Sequence, residues 1–476
     1  MSTNLYAANL APLPGAQADG GVPIHVHDGW SFRRAGNAAK DVILQAVPTA
    51  ERGKHWPARL SDEPVMSQAS LRGHIAAVNR SHSGGMVLAF SHDHYLTIWG
   101  GVQNCVGDEQ AAMNASGWSY LHICPNTPRP HLGENTAARD TTYIISLNGL
   151  RLGVATLEDL NETLAYFGTN GLGFTCVVHH LLGFAPEHVA MLWRSAGQRG
   201  QSGYFWTHDL FTLCPSIHLL RNEATFCGAP AASSTACRIC NAGVARRGHE
   251  ERLIAFFEEF RPAVLAPSET LLQFWQKHAK YAFSSVAVVP PCTLELELAP
   301  QKRALEERPL RVAFMGAPIY HKGWFSFESL ARWHAYDPRY QFFHLGQGVT
   351  DVPNLVHVEA KVDRTDRGAM IRAARENEID VVVNWSLCFE SFSFVTHEAL
   401  AAGVFVVARP ESGNIAALLN SRYQGHGRLV GSEIELQASF ESGEILEWVG
   451  ASKRGYGNLV AGRGVADIVC AGSVNV

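Results

Sequence analysis

The chain has no surplus of positive charge: 39 Lys and Arg stand against 44 Asp and Glu, for a formal net charge of -5. A protein built to hold nucleic acid advertises a basic excess, so that class is excluded as the main activity. Long apolar runs are missing too, and the first residues, MSTNLYAANLAPLPGAQADGG, contain no basic segment followed by an apolar core. With neither a run of about 20 apolar residues nor a leader pattern, the expectation is a cytoplasmic protein, with peripheral contact at the inner face of a membrane left open. No carboxylate pair of the kind that holds magnesium against a diphosphate is visible, so no catalytic metal is expected. At 476 residues the chain exceeds one core, and two domains of about 200 residues each are the default.

Against these absences, one stretch names a chemistry: Asp380 to Ala408, DVVVNWSLCFESFSFVTHEALAAGVFVVA. Asp380 to Trp385 is a β-branched run of strand length, and Ser391 to Ala402 has the spacing of an amphipathic helix. Gly403 suits a left-handed cap, and Val404 to Val407 is a second apolar strand. Two parallel strands joined by a helix form a right-handed unit, which puts the loop after the first strand at the carboxyl edge of a sheet, where ligands bind. Glu390 closes that loop and Glu398 lies about two turns into the helix. Carboxylates accept from vicinal hydroxyls, and the free N–H groups around Ser391 and Ser393 suit an anion such as a diphosphate. The turn at Ser412, Gly413 and Asn414 offers further backbone donors. Sugar hydroxyls plus diphosphate describe a sugar nucleotide.

Glu390, seven residues, Glu398, then Ala-Leu-Ala-Ala-Gly and an apolar strand resembles the signature of retaining glycosyltransferases of the two-domain GT-B fold. This is the large Glu-x7-Glu, family 4-like group, and the chain is similar to its bacterial polysaccharide-assembly members. The resemblance implies that Glu398 holds the ribose hydroxyls and that Glu390 faces the donor sugar. It implies an α/β protein with two Rossmann-like doubly wound parallel-sheet domains facing a cleft. Lys322-Gly323 resembles the group's phosphate-binding Lys-Gly, and a lysine at a strand–helix turn suits a diphosphate leaving group. The pattern departs from the group at Ala317, where an arginine is usual; Arg364 or Arg367 could substitute. Gly100 and Gly101, after the strand from Met86 to Ser91, resemble the N-terminal glycine loop. His208, at a strand end beside Asp209, resembles the histidine that contacts the donor sugar.

Cys214, Cys227, Cys237 and Cys240 are separated by twelve, nine and two residues. Cys-x-x-Cys lets two thiolates take adjacent corners of a tetrahedron and two more would close it, so a zinc here would be structural; a redox pair at Cys237 and Cys240 is the alternative. His25, His27 and Asp28 stand at alternating spacing that could serve a metal, though a short solvated strand accounts for them better.

The expected organisation is an N-terminal extension, 1–80, with no assigned role, and an acceptor domain, 81–295, with the Cys-rich insert at 211–243. A Pro-rich then charged linker follows at 296–309, then a donor domain, 310–447, and a C-terminal tail, 448–476. Strands are expected near Tyr120 to Cys124, Tyr143 to Ser146, Phe174 to His179, Gly203 to Thr207, Ala263 to Ala266 and Ser285 to Val289, all in one parallel sheet. The expected activity is transfer of a sugar with retention from a UDP- or GDP-sugar to a glycan, lipid-linked or protein acceptor. Two alternatives stay open, a GT-B protein that binds the nucleotide sugar without turnover and a GT-B sugar-nucleotide epimerase.

Overall fold

The structure is a computed structural model. It describes residues 59–470 apart from 80–83, 198–202, 223, 298, 304–306 and 349, together with the backbone of three short strands at Pro23–Val26, Trp30–Ala35 and Ile43–Leu44. His27 and Asp28 lie outside the described residues. No helix among those described is long and apolar enough to cross a membrane.

The chain divides into two compact α/β units, one of residues 1–291 with 462–476, the other of residues 292–461. In the first, eight strands lie in the order Val286–Val288, Ala263–Ala266, Tyr204–Trp206, Phe174–Val178, Met86–Phe90, Ser119–Pro125, Thr142–Leu147, Leu150–Thr156. The first six are parallel and predominantly apolar, as expected of strands in a sheet covered on both faces. The last two are antiparallel, which corrects the expectation of a purely parallel sheet. The cause is local. Asn148 and Gly149 have φ of +48° and +81°, the left-handed pair of a two-residue hairpin turn, and they fold Leu150–Thr156 back on its neighbour.

Part of the expected extension belongs to this unit. The helix Gln68–Asn79 buries Leu71 and Ile75 completely, and Val65 bridges Val154. So does part of the expected tail, since Val465 and Ala466 join the core around Val87, Val102 and Val106.

The second unit is a six-stranded, wholly parallel sheet in the order Val356–Val358, Tyr340–Leu345, Leu310–Met315, Val381–Asn384, Phe405–Ala408, Gly427–Leu429. Apolar clusters cover both faces, Phe314, Phe327 and Phe440 on one and Met315, Leu345 and Leu400 on the other. The segment read as a linker and the end of the expected acceptor domain are partly structured: Cys292–Leu296 pairs antiparallel with Gly457–Ala461, and Gln301–Lys302 with Lys453–Arg454. These ladders satisfy backbone groups that a bare linker would leave to water. In each unit the strand order reverses beside the first strand of the parallel set, next to Phe174–Val178 in one and Val381–Asn384 in the other. The carboxyl ends at such a reversal form the crevice where ligands bind in open α/β sheets.

Candidate functional site

In the second unit, the turns after Leu310–Met315 and Val381–Asn384 are knitted together. Leu387 N donates to His321 O at 2.8 Å. Gly323 has φ +82°, and a Cβ there would stand 2.0 Å from Trp385 O, so only glycine permits this approach. The result is a buried ion pair: Lys322 Nζ donates to Glu390 Oε1 at 2.7 Å, and Ser386 Oγ donates to the same oxygen at 2.8 Å. Burial alone would raise the Glu390 carboxyl, but the ammonium and hydroxyl beside it hold it down to about 2.

The third turn, after Phe405–Ala408, closes on this loop. Glu390 N donates to Ser412 O at 3.3 Å, Asn414 N to Glu390 O at 2.9 Å, and Asn414 Nδ2 to Phe392 O at 2.9 Å. Gly413, at φ +65°, lies where a Cβ would be 2.7 Å from Glu390 O. Ser391 is buried here. Ser393, at φ +68°, caps the helix Phe394–Ala401 by accepting from Thr396 N at 3.3 Å, while Asn384 Nδ2 donates to Thr396 Oγ1 at 2.8 Å. Glu398 is buried in that helix with no hydrogen bond to its carboxylate from any described residue, and burial pushes its carboxyl up to about 7. The two glutamates therefore differ in kind. Glu390 is ionised and partnered; Glu398 is poised near neutrality and waits for donors.

Structure thus brings Lys322, Gly323, Glu390, Ser391, Ser393, Gly413 and Asn414 to one sheet edge, with Glu398 in the helix that rises from it. Ser386, which joins Glu390, carried no signal in the sequence. Arg364 is exposed and Arg367 half-buried; both follow Val356–Val358, two strands from Leu310–Met315.

In the first unit, His208 ends Tyr204–Trp206 beside the ends of Phe174–Val178 and Met86–Phe90. Its Nε2 lies 3.0 Å from His179 Nδ1. Asp209 pairs instead with His180, whose Nε2 is 2.9 Å from Asp209 Oδ2, and caps a turn by accepting from Phe211 N at 2.8 Å. His180 Nδ1 accepts from Leu182 N at 2.9 Å, so the His180–Asp209 pair is internally satisfied. Burial, reinforced by the neighbouring His179, holds His208 well below the ordinary imidazole range. His92, not singled out by the sequence, packs its ring 4.5 Å from that of His180. Gly100 and Gly101 lead into the helix Gly101–Ala115, but Gly100 is fully extended and neither has positive φ.

The four cysteines border one small cavity with Arg246. Among the described residues no group of three or more His, Cys, Asp or Glu could hold a metal ion, so the expected four-thiolate zinc site finds no support there. Arg246 stands among these thiols. Its Nη1 lies 3.0 Å from Cys237 Sγ and donates to Pro230 O at 2.6 Å, and its Nε donates to Leu213 O at 3.0 Å. Burial pushes the Cys214 thiol up to about 12 and raises Cys227.

No protein-family model matches the chain, and no curated protein does. Among solved structures it is similar to Anabaena HepE in complex with UDP-glucose, at 13% identity over 77% of this chain and 92% of that one, with a TM-score of 0.45. It is also similar to WaaG, a glycosyltransferase involved in lipopolysaccharide biosynthesis (13% identity, 80% and 95% covered, TM-score 0.43). A glycosyltransferase from Rickettsia africae ESF-5 is a third (10% identity, 83% and 94% covered, TM-score 0.45).

Proposed function

We propose that this chain is a retaining glycosyltransferase of the GT-B type, taking a sugar from a UDP- or GDP-sugar to a glycan, lipid-linked or protein acceptor. The first unit serves the acceptor and the second the donor. The observation that carries the reading is the contrast between Glu398 and Glu390 at one sheet edge. A buried carboxylate without donors, such as Glu398, gains two charge-assisted hydrogen bonds from the vicinal hydroxyls of a ribose. Lys322, already beside the edge, can meet the diphosphate, with backbone N–H groups at the start of the helix Asn414–Asn420 adding to the cradle. Glu390 faces the sugar, and His208 keeps the role that the resemblance gives it.

A cationic side chain and backbone dipoles at the leaving diphosphate stabilise charge that grows toward the transition state, which is where binding energy raises turnover. A second reading, donor binding without turnover, is favoured by one feature: Ala317 leaves the edge without the usual arginine while Lys322 is engaged with Glu390. Incubation with a panel of UDP- and GDP-sugars, followed by calorimetry and by the anomeric configuration of the product, tests both. Transfer with retention supports the first reading; tight binding with neither transfer nor hydrolysis replaces it with the second.

A further inference from the structure

A chain of hydrogen bonds runs through the first unit from the returning C-terminal segment to His208. Val465 N donates to Glu109 Oε2 at 2.9 Å. At Oε1 the same carboxylate receives Tyr120 Oη at 3.0 Å and stands 3.0 Å from His179 Nε2, the shorter of the two contacts that nitrogen makes, Tyr120 Oη lying 3.3 Å from it. His179 Nδ1 stands 3.0 Å from His208 Nε2. Glu109, His179 and His208 are all essentially inaccessible to solvent, and His208 Nδ1 has no hydrogen-bond partner among the described residues. The rings are locked by stacking, Trp206 on His208 at 4.8 Å and 4°, His179 beside His208 at 5.3 Å and 7°.

The donors along this chain are determined from its fixed end. A backbone N–H can only donate and a carboxylate accepts, so the neighbours of Glu109 serve as its donors, and one of them is His179 Nε2–H. A neutral His179 then has its lone pair on Nδ1. The 3.0 Å contact to His208 is a hydrogen bond only if His208 Nε2 carries the proton, which leaves Nδ1 of His208 as a bare acceptor. The reverse arrangement needs a buried imidazolium at His179 and puts an N–H on His208 Nδ1 with nothing to receive it. An orphaned buried N–H is the rarer and costlier of the two defects.

We infer that Glu109 and His179 are positioning residues that hold His208 in its Nε2–H form and so leave its buried Nδ1 as a bare hydrogen-bond acceptor. The group it suits is a hydroxyl of a neutral sugar; a carboxylate or phosphate, which can only accept, would meet a lone pair there. The sugar as ligand rests on the glycosyltransferase reading. The tautomer does not.

Long-range proton–nitrogen spectra of full-length protein labelled with 15N-histidine test it, with the His208 signals assigned by their loss in His208→Gln. A proton on Nε2 and none on Nδ1 is expected at neutral pH, and a proton on Nδ1 with Nε2 bare overturns the inference. Glu109→Gln offers one acceptor where two are needed, so loss of the single-tautomer pattern at His208 is expected, and an unchanged pattern removes Glu109 from the chain. Tyr120→Phe takes away a donor but not the acceptor, and should leave the His208 pattern as it is; a switch to Nδ1–H there also overturns the inference. Because no substrate is added, absence of glycosyl transfer would refute the functional reading and leave these outcomes standing.

Discussion

Lys322 Nζ and Glu390 Oε1 lie 2.7 Å apart across 68 residues of sequence, and the pair fixes the ionisation of the loop that carries it. Glu390 is buried, so its low pKa is a statement about stability as well as charge. A carboxyl depressed on folding stabilises the native state above its unfolded pKa, and that contribution disappears as pH falls toward the folded value. The window here runs from about 4.5 down to about 2. Removing one partner of a buried pair leaves an uncompensated charge, at a cost of about 3–5 kcal/mol, with the lower end expected because Lys322 is partly exposed. Lys322→Ala should therefore melt earlier at neutral pH and lose less of its remaining stability on acidification than the parent. Equal melting temperatures for variant and parent at pH 7 would show that the pair contributes nothing.

Glu398 behaves in the opposite sense. Its carboxyl is raised to about 7 by burial, so its contribution is fully present below about 4.5 and is lost as pH rises through about 7. Ribose hydroxyls donating to it favour the ionised form, so nucleotide binding should release a proton below pH 7 and tighten as pH rises from 6 to 8. Calorimetry of UDP or GDP in buffers of differing ionisation enthalpy reads the proton directly. Glu398→Gln should bind more weakly, by about 1.5–3 kcal/mol for each charge-assisted bond lost, and without the pH dependence. A pH-dependent affinity that survives Glu398→Gln would assign the proton elsewhere.

Gly323 offers a test of geometry rather than charge. Alanine at this position meets Trp385 O and must hold φ near +82°, a conformation that costs a non-glycine residue about 1–3 kcal/mol before the clash is counted. Gly323→Ala should lower the melting temperature and displace the Lys322 turn, weakening nucleotide affinity at the same time. Gly171→Ala is the control: its φ is also positive, at +87°, but nothing stands within 4 Å of the added Cβ. It should lose stability through strain alone. Equal losses in the two variants would mean that the approach to Trp385 is not what Gly323 is for.

What the sequence made legible depended on how far apart the cooperating residues lie. The strand Val381–Asn384, the helix Phe394–Ala401 and the two glutamates sit within one local repeat of strand, turn and helix, where periodicity and turn chemistry carry the information. The hairpin at Asn148 and Gly149 was equally readable, since Asn-Gly between apolar runs is a strong turn signal, yet the expected strand set lacks its second arm. By contrast, Ser386 on Glu390, and Glu109 on His179, are contacts that only the packed sheet creates. Glu109 looks in sequence like any acidic residue of an amphipathic helix. The cysteine spacing showed that four thiols share a loop, and it could not show that Arg246 would stand among them.

Ala317 stands where the resemblance to GT-B glycosyltransferases would place an arginine, and it begins the turn that ends in Lys322. Its carbonyl accepts from Ile319 N at 2.9 Å, so the turn is already closed by backbone and needs no side chain to hold it. Ala317→Arg should then be tolerated in folding and add a guanidinium able to pair bidentately with a diphosphate, where Lys322 acts as a point charge shared with Glu390. Donor affinity or turnover should rise by about tenfold, the equivalent of 1.4 kcal/mol.

The last prediction concerns the cysteine-bearing loop. Arg246 donates to Leu213 O and Pro230 O, stands beside Cys237 Sγ and pairs with Glu250, so one guanidinium ties together three segments of a loop with little core of its own. Arg246→Met keeps most of the aliphatic length but leaves two buried carbonyls without a donor, at about 1–3 kcal/mol each. Hydrogen exchange in the variant should rise across residues 213–240 and stay as in the parent through Val381–Asn384 and Phe394–Ala401, because those lie in the other unit. Nucleotide affinity, which the proposed function assigns to Glu398 and the Lys322 turn, should be unchanged. If exchange across 213–240 did not rise, something other than Arg246 would have to hold the loop, and a metal bound by the four thiols would again be the first candidate to measure.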